Sequence, residues 1–217
     1  MSATLIHLVR HGEVFNPTGV LYGRIPGFGL SELGVRMAAA TAHHFAGRQV
    51  SALYASPLQR AQESAAPWSE LFGQDLRTDE RFVEPWNLFE GRSSRFRTIV
   101  TKPAEWPKVR NPFRPSWGEP YSEVARRMLA AIDEAWQEQD GGEIVIVSHQ
   151  LPIVMVQRAV AGVHLWHDPR ARRCTLSSVT TLARIADAPA GRPRYREVSY
   201  LEPAAALLAE AIDQGAV

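Results

Sequence analysis

Thr4-Leu5-Ile6-His7-Leu8-Val9, followed at once by Arg10-His11-Gly12, is the stretch on which the reading of this chain turns. Six β-prone residues without a turn former predict a short buried strand, and the Arg-His-Gly that ends it predicts a loop at the strand's carboxyl end. The arrangement recurs far down the chain. Residues 143–147 contain Ile144-Val145-Ile146-Val147, the strongest buried-strand signal present, and Ser148-His149 follows directly. Two histidines, His11 and His149, are therefore expected at the carboxyl ends of two strands.

The intervening chain supplies the helices. From Ser31, the residues Leu33, Met37, Ala40, Thr41, His44 and Phe45 recur at helical spacing, with Ser31 placed to cap and Gly47 where the helix should stop. Residues 52–55 predict another strand, and Ser56-Pro57 predicts the cap and first position of a helix carrying Arg60 in its first turn. Residues 78–91 read as irregular, and residues 92–120, rich in arginine, proline and tryptophan without a steady period, as a long loop or insertion. Residues 121–139 return to helical spacing through Val124, Met128, Ala131, Ile132 and Ala135, and Asp140-Gly141-Gly142 ends that run. A helix is expected from His149 to Val160, strands over 178–185 and 195–198, and a last helix in the alanine-rich tail from Pro203. Alternating strands and helices predict an α/β sheet with helices on both faces, in one domain spanning residues 1–217. Ligands of such sheets bind beyond the carboxyl ends of the strands, where His11, Arg60 and His149 all fall.

Composition narrows the function classes. At 217 residues, with 45% apolar and 22% charged residues, the chain is an ordinary globular protein. A formal charge of +1 provides no global field for nucleic acid or an anionic membrane, so anion affinity must come from locally clustered arginines. The lone cysteine, Cys174, forbids an intrachain disulfide and fits a reducing cytoplasm. Residues 1–10 have neither the basic start nor the apolar length of a signal peptide or membrane span. No Walker sequence is present, and Gly27-Phe28-Gly29 lacks the third glycine of a dinucleotide fingerprint. His164 and His167 lack the carboxylate or cysteine company of a metal site, so no metal and no cofactor are expected. The arginines and aromatics of residues 92–120 suggest a lid over a substrate more than a nucleic-acid surface, the bland alternative being a solvated loop. A homodimer is left open.

Arg10-His11-Gly12, Ser56-Pro57-Leu58-Gln59-Arg60-Ala61, the acidic Glu84 and Ser148-His149 stand in the order found in the histidine phosphatase superfamily, also called phosphoglycerate mutase-like, which the sequence resembles over residues 5–182. Leu30-Ser31-Glu32-Leu33-Gly34 and Glu90-Gly91 resemble secondary signatures of that family. The resemblance implies a three-layer α/β/α sandwich on a mostly parallel sheet. It also implies that His11 attacks phosphorus to form phosphohistidine, that Arg10, Arg60 and His149 bind the phosphoryl oxygens, and that Glu84 protonates the leaving alcohol and later activates water. Gly12 would face the anion with its N–H. The chemistry suits these residue types: a neutral imidazole is nucleophilic near neutral pH, and arginine stays charged while presenting a planar fork to phosphate. The segment after Glu84 is one residue shorter than the common pattern, which leaves Glu90 as the alternative acid. Val14 takes a position where relatives carry a hydroxyl, Asn16 comes one residue early as a phosphate ligand, and Gln150 replaces a usual glycine and either narrows the pocket or offers the substrate an amide. Hydrolysis of a small phosphomonoester is the leading expectation. A cofactor-dependent phosphoglycerate mutase, whose extended arginine-rich substrate segment is not found here, and a non-catalytic phospholigand-binding protein are the rivals.

Overall fold

A computed structural model describes residues 3–92, 117–189 and 191–213. Among these residues, β1 (Leu5–Arg10), β2 (Val50–Ala55), β3 (Leu76–Thr78), β4 (Glu143–Ser148), β5 (Val179–Arg184) and β6 (Tyr195–Leu201) form one sheet in the order β3-β2-β4-β1-β5-β6. The first four in that order run parallel, and β5 and β6 extend the sheet as antiparallel strands.

Both faces of the central strands are buried, and period-two alternation sorts their side chains. Ile144 and Ile146 pack with Ile6 and Leu8 on one face, beneath α3 (Tyr121–Gln137) and α4 (Gln150–Val160). Val145 and Val147 pack with Val9 and Leu53 on the other, against α1 (Glu32–His44) and α2 (Gln59–Phe72). The result is the expected three-layer α/β/α sandwich. The predicted periodicity holds in α3, where Val124, Met128, Ala131, Ile132 and Ala135 are all buried. Covering a branched or long apolar side chain of this kind is worth about 1.5–3 kcal/mol each. In α1, the Ser31 hydroxyl accepts the Gly34 N–H at 2.9 Å, and Gly47, at φ 86°, takes the left-handed conformation just past the end.

Two expectations need correction. Helix α2 starts at Gln59, not Pro57; Leu58 holds the cap position with extended backbone and no capping side chain. Ser56, the residue with cap chemistry, is fully buried; its hydroxyl contacts His149 Nε2 at 2.7 Å and accepts the Leu58 N–H only at 3.4 Å. The tail helix α5 is confined to Ala205–Leu208. Beyond it the Ile212 N–H donates to Glu13 Oε1 at 2.6 Å, which holds the tail against the loop that follows β1. A 3-10 turn at Glu80–Phe82 and the end of β3 lie in the segment read as irregular, too short to show a period. Residues 93–116, most of the expected lid, lie outside the described residues.

Register places the site. Arg10 pairs with Ser148, and Ala55 with Val147. The next residues, His11, His149 and Ser56, therefore emerge side by side, with the His11 N–H donating to Ser148 O at 3.1 Å and the Ser56 N–H to Val147 O at 3.0 Å.

Candidate active site

His11 is buried, and its Nδ1 lies 2.8 Å from the Gly12 carbonyl. A carbonyl can only accept, so Nδ1 carries the ring proton and Nε2 keeps a lone pair. Burial, then the charges of Arg60 and Arg10, hold this imidazole well below the usual histidine range, so it is neutral at pH 7. The His11 loop rests directly on the start of α1. A Cβ on Gly12 would lie 2.5 Å from the Gly34 carbonyl oxygen, which explains the glycine by close approach. The Gly12 N–H donates to Ser64 Oγ at 3.0 Å and so is aimed at α2, not offered to an anion as expected.

The His149 ring centroid is 5.2 Å from that of His11. Its Nε2 is 2.7 Å from Ser56 Oγ, while its buried Nδ1 has no partner and stands 3.8 Å from Glu84 Oε2. Burial, then Arg60, holds this ring neutral too. Glu84, 3% exposed, is pushed up to about 7 by burial, against the pull of Arg60, Arg172 and Arg10. A carboxyl poised there exchanges protons near neutral pH, which acid–base work requires. Glu90 stands apart: its Oε1 accepts the Asn87 N–H at 3.0 Å, and its side chain packs on Gly23. The geometry favours Glu84 of the two acids.

Arg60, in the first turn of α2, is buried with its guanidinium 4.6 Å over the Tyr22 ring and Nη2 donating to Gly23 O at 2.7 Å. Arg10 is fully buried, and its fork is occupied. Nη1 and Nη2 donate to the two carboxylate oxygens of Asp213 at 2.8 and 2.5 Å, and Nη1 also reaches Cys174 O at 2.7 Å. Asn16 donates to the Val20 carbonyl at 2.9 Å and accepts its N–H at 3.2 Å, so it closes a loop and keeps at most one amide N–H for a phosphate. Gln150, first residue of α4, accepts from Arg172 Nη1 at 3.1 Å and donates to Cys174 O at 3.2 Å. Its amide positions Arg172, whose charge bears on Glu84.

Sequence reasoning thus missed Tyr22, Asp213, Arg172 and the contact of Ser56 with His149. An isolated tyrosine, a tail aspartate and one arginine of a basic run carry no local signal; Ser56 alone lay inside a recognisable motif. His167 bonds Leu165 O through Nδ1 and Arg172 through Nε2, while His164 is exposed. Among the described residues no group of three or more His, Cys, Asp or Glu gathers as a metal site would need, and no helix is long and apolar enough to cross a membrane.

Buried side-chain atoms without a partner concentrate here: Arg10 Nε, Arg60 Nε, Glu84 Oε1 and His149 Nδ1. Each such group costs about 1–3 kcal/mol when left unpaired, so their convergence marks a place built for a polar ligand. A neutral imidazole, buried cations and a proton-exchanging carboxyl are groups of the kind that phosphoryl transfer to nitrogen would use.

The chain is 48% identical to an uncharacterised protein of Mycobacterium tuberculosis over 203 residues, covering 93% of this chain and 98% of that one. It is 28% identical over 182 residues to a probable phosphoglycerate mutase of Yersinia pestis, covering 80% and 83%. Among solved structures it resembles a mycobacterial glucosyl-3-phosphoglycerate phosphatase complexed with VO3, with a TM-score of 0.72, 26% identity and coverage of 91% and 98%. A phosphoserine phosphatase from Entamoeba histolytica shares the fold at a TM-score of 0.72 and 19% identity, covering 91% and 96%. The profile of the histidine phosphatase superfamily (branch 1) matches residues 6–191, and with the phosphoglycerate mutase-like sandwich around its two histidines the chain belongs to that superfamily.

Proposed function

We propose that the protein hydrolyses a small phosphomonoester through a phosphohistidine at His11, without a metal ion. The observation that carries this reading is the pairing of a neutral His11, its Nε2 lone pair free, with Glu84 poised near pH 7 beside His149. Nε2 of His11 attacks phosphorus in line, the bond to the leaving alcohol breaks, and protonated Glu84 gives that oxygen its proton. Water then attacks the phosphohistidine, the Glu84 carboxylate takes the water's proton, and inorganic phosphate leaves with His11 restored. Arg60, Arg10 and His149 supply the positive charge and N–H donors that a metal would otherwise provide. The curated relative named as a mutase shares the first step, so the fate of the intermediate separates the two activities.

The test is a panel of phosphorylated metabolites assayed with chelator present, alongside 2- and 3-phosphoglycerate primed with 2,3-bisphosphoglycerate. Steady phosphate release that is lost in His11→Ala, with a phosphorylated histidine trapped by alkaline denaturation, is the expected result. Phosphoglycerate interconversion with negligible release would make the protein a mutase, and ligand binding without turnover would make it a phospholigand receptor.

A further inference from the structure

We infer that Ser56 is a positioning residue that fixes the tautomer of His149, placing the ring proton on Nδ1 so that an N–H faces the phosphoryl group. The part of this concerning phosphate rests on the function proposed above. The tautomer itself follows from counting donors and acceptors around one buried hydroxyl.

Ser56 is fully buried just past β2, and its backbone is already committed: the N–H donates to Val147 O at 3.0 Å and the carbonyl accepts from Gln62 Nε2 at 2.6 Å. The hydroxyl has one proton and two lone pairs. Leu58 N–H approaches Oγ at 3.4 Å, and His149 Nε2 lies 2.7 Å from it. Were the ring proton on Nε2, both neighbours would donate to Oγ. Among the described residues the serine proton would then have no acceptor within hydrogen-bond reach, in a place where an unpaired polar group is costly. With Ser56 as donor, Oγ accepts from Leu58 and gives its proton to Nε2, and nothing is left over.

The consequence appears at the other ring nitrogen. Nδ1 is buried, has no protein partner, and looks toward Glu84 Oε2 at 3.8 Å. Because burial keeps the ring neutral, only one nitrogen bears a proton, so the choice decides the sign of the contact. An Nδ1–H donates to an anionic phosphoryl oxygen; a bare Nδ1 would turn a lone pair against it. Ser56 thus makes the second histidine a donor.

The experiment reads the ring nitrogens directly. In protein labelled with 15N at histidine, with His149 assigned by comparison with His149→Gln, the wild-type spectrum should show a protonated Nδ1 and a bare Nε2 with and without inorganic phosphate. Ser56→Ala should mix the tautomers and weaken inorganic phosphate binding about tenfold, equivalent to about 1.4 kcal/mol. Ser56→Thr, which keeps the hydroxyl, should restore both readouts. A wild-type His149 protonated on Nε2 overturns the inference, and this measurement stands even if Ser56→Ala fails to fold. Ser56→Ala with an unmixed Nδ1–H tautomer and wild-type phosphate affinity overturns it equally. An Nδ1–H tautomer in a protein that binds no phosphate would uphold the role of Ser56 on the ring and sink the phosphatase reading alone.

Discussion

Replacing Glu84 with glutamine should change both the pH–rate profile and the stability of the protein, in directions its environment dictates. Burial raises this carboxyl from 4.5 to about 7. As general acid it must be protonated, which at that pKa means about nine-tenths of molecules at pH 6, half at pH 7 and one-tenth at pH 8. For a substrate with a poor leaving group, kcat/KM should therefore fall about tenfold from pH 6 to pH 8 along a single descending limb. His11, held well below its usual range, adds no opposing limb there. Glu84→Gln should lower the rate by about 10²–10⁴ and abolish the limb, while an activated aryl phosphate should lose much less.

The same shift governs stability. Between pH 4.5 and about 7 the folded protein binds the Glu84 proton while the unfolded chain releases it, so this group's contribution declines as pH rises through that window. At pH 8 the full penalty is about 3 kcal/mol, and Glu84→Gln should recover up to that amount in denaturant titration, with no gain at pH 4. A flat kcat/KM profile from pH 5 to 9, or an unaltered limb in Glu84→Gln, would refute Glu84 as the acid and direct attention to Glu90.

Arg60→Ala should cost about 3 kcal/mol, on the order of a hundredfold in kcat/KM, with partial recovery in Arg60→Lys because the planar fork is lost; near-normal kinetics would remove Arg60 from the site. Asp213→Ala frees Nη2 of Arg10 while Nη1 keeps its bond to Cys174 O, and because the aspartate is 42% exposed its competition with a phosphate is modest, so inorganic phosphate should inhibit about two- to fivefold more tightly. Weaker inhibition would show that Asp213 orients Arg10 without competing for it. Glu143 accepts from His7 at 2.9 Å and Arg48 at 2.7 Å, which hold its carboxylate down to about 2 against the effect of burial. That contribution is complete above about pH 4.5 and is lost as pH falls toward 2. Glu143→Gln should therefore lose about 1–3 kcal/mol of stability near neutrality, read by denaturant titration, with kcat unchanged because Glu143 opens β4 at the end away from the site.

How much was legible follows from which signals are local. The buried alternation of β1 and β4, the Ser31 cap and the spacing in α3 are properties of short segments, so the layers and the strand-end histidines could be read from the sequence. The start of α2 was misplaced because a serine before proline satisfies the local preference for a cap, whereas the helix itself begins two residues later, at Gln59, behind an extended Leu58. Asn16 fits the family pattern in residue type but sits one position early, and Gln150 departs from it; their amides bond Val20 in one case and Arg172 and Cys174 in the other, partners that the pattern does not announce. Tyr22, Arg172 and Asp213 reach the site through tertiary packing that no periodicity announces.

The central place of β1 has a bearing on how the molecule comes together. Both of its neighbours, β4 and β5, are synthesised more than a hundred residues later, so the first strand made is among the last to be paired. Until residues 143–184 are available, an apolar strand has neither hydrogen-bonded partner, a condition that favours slow folding and chaperone engagement. His11 and His149 gain their alignment from that final pairing, so in refolding experiments phosphate binding should return only with the slowest phase, after helical signal from α1 and α2 has recovered.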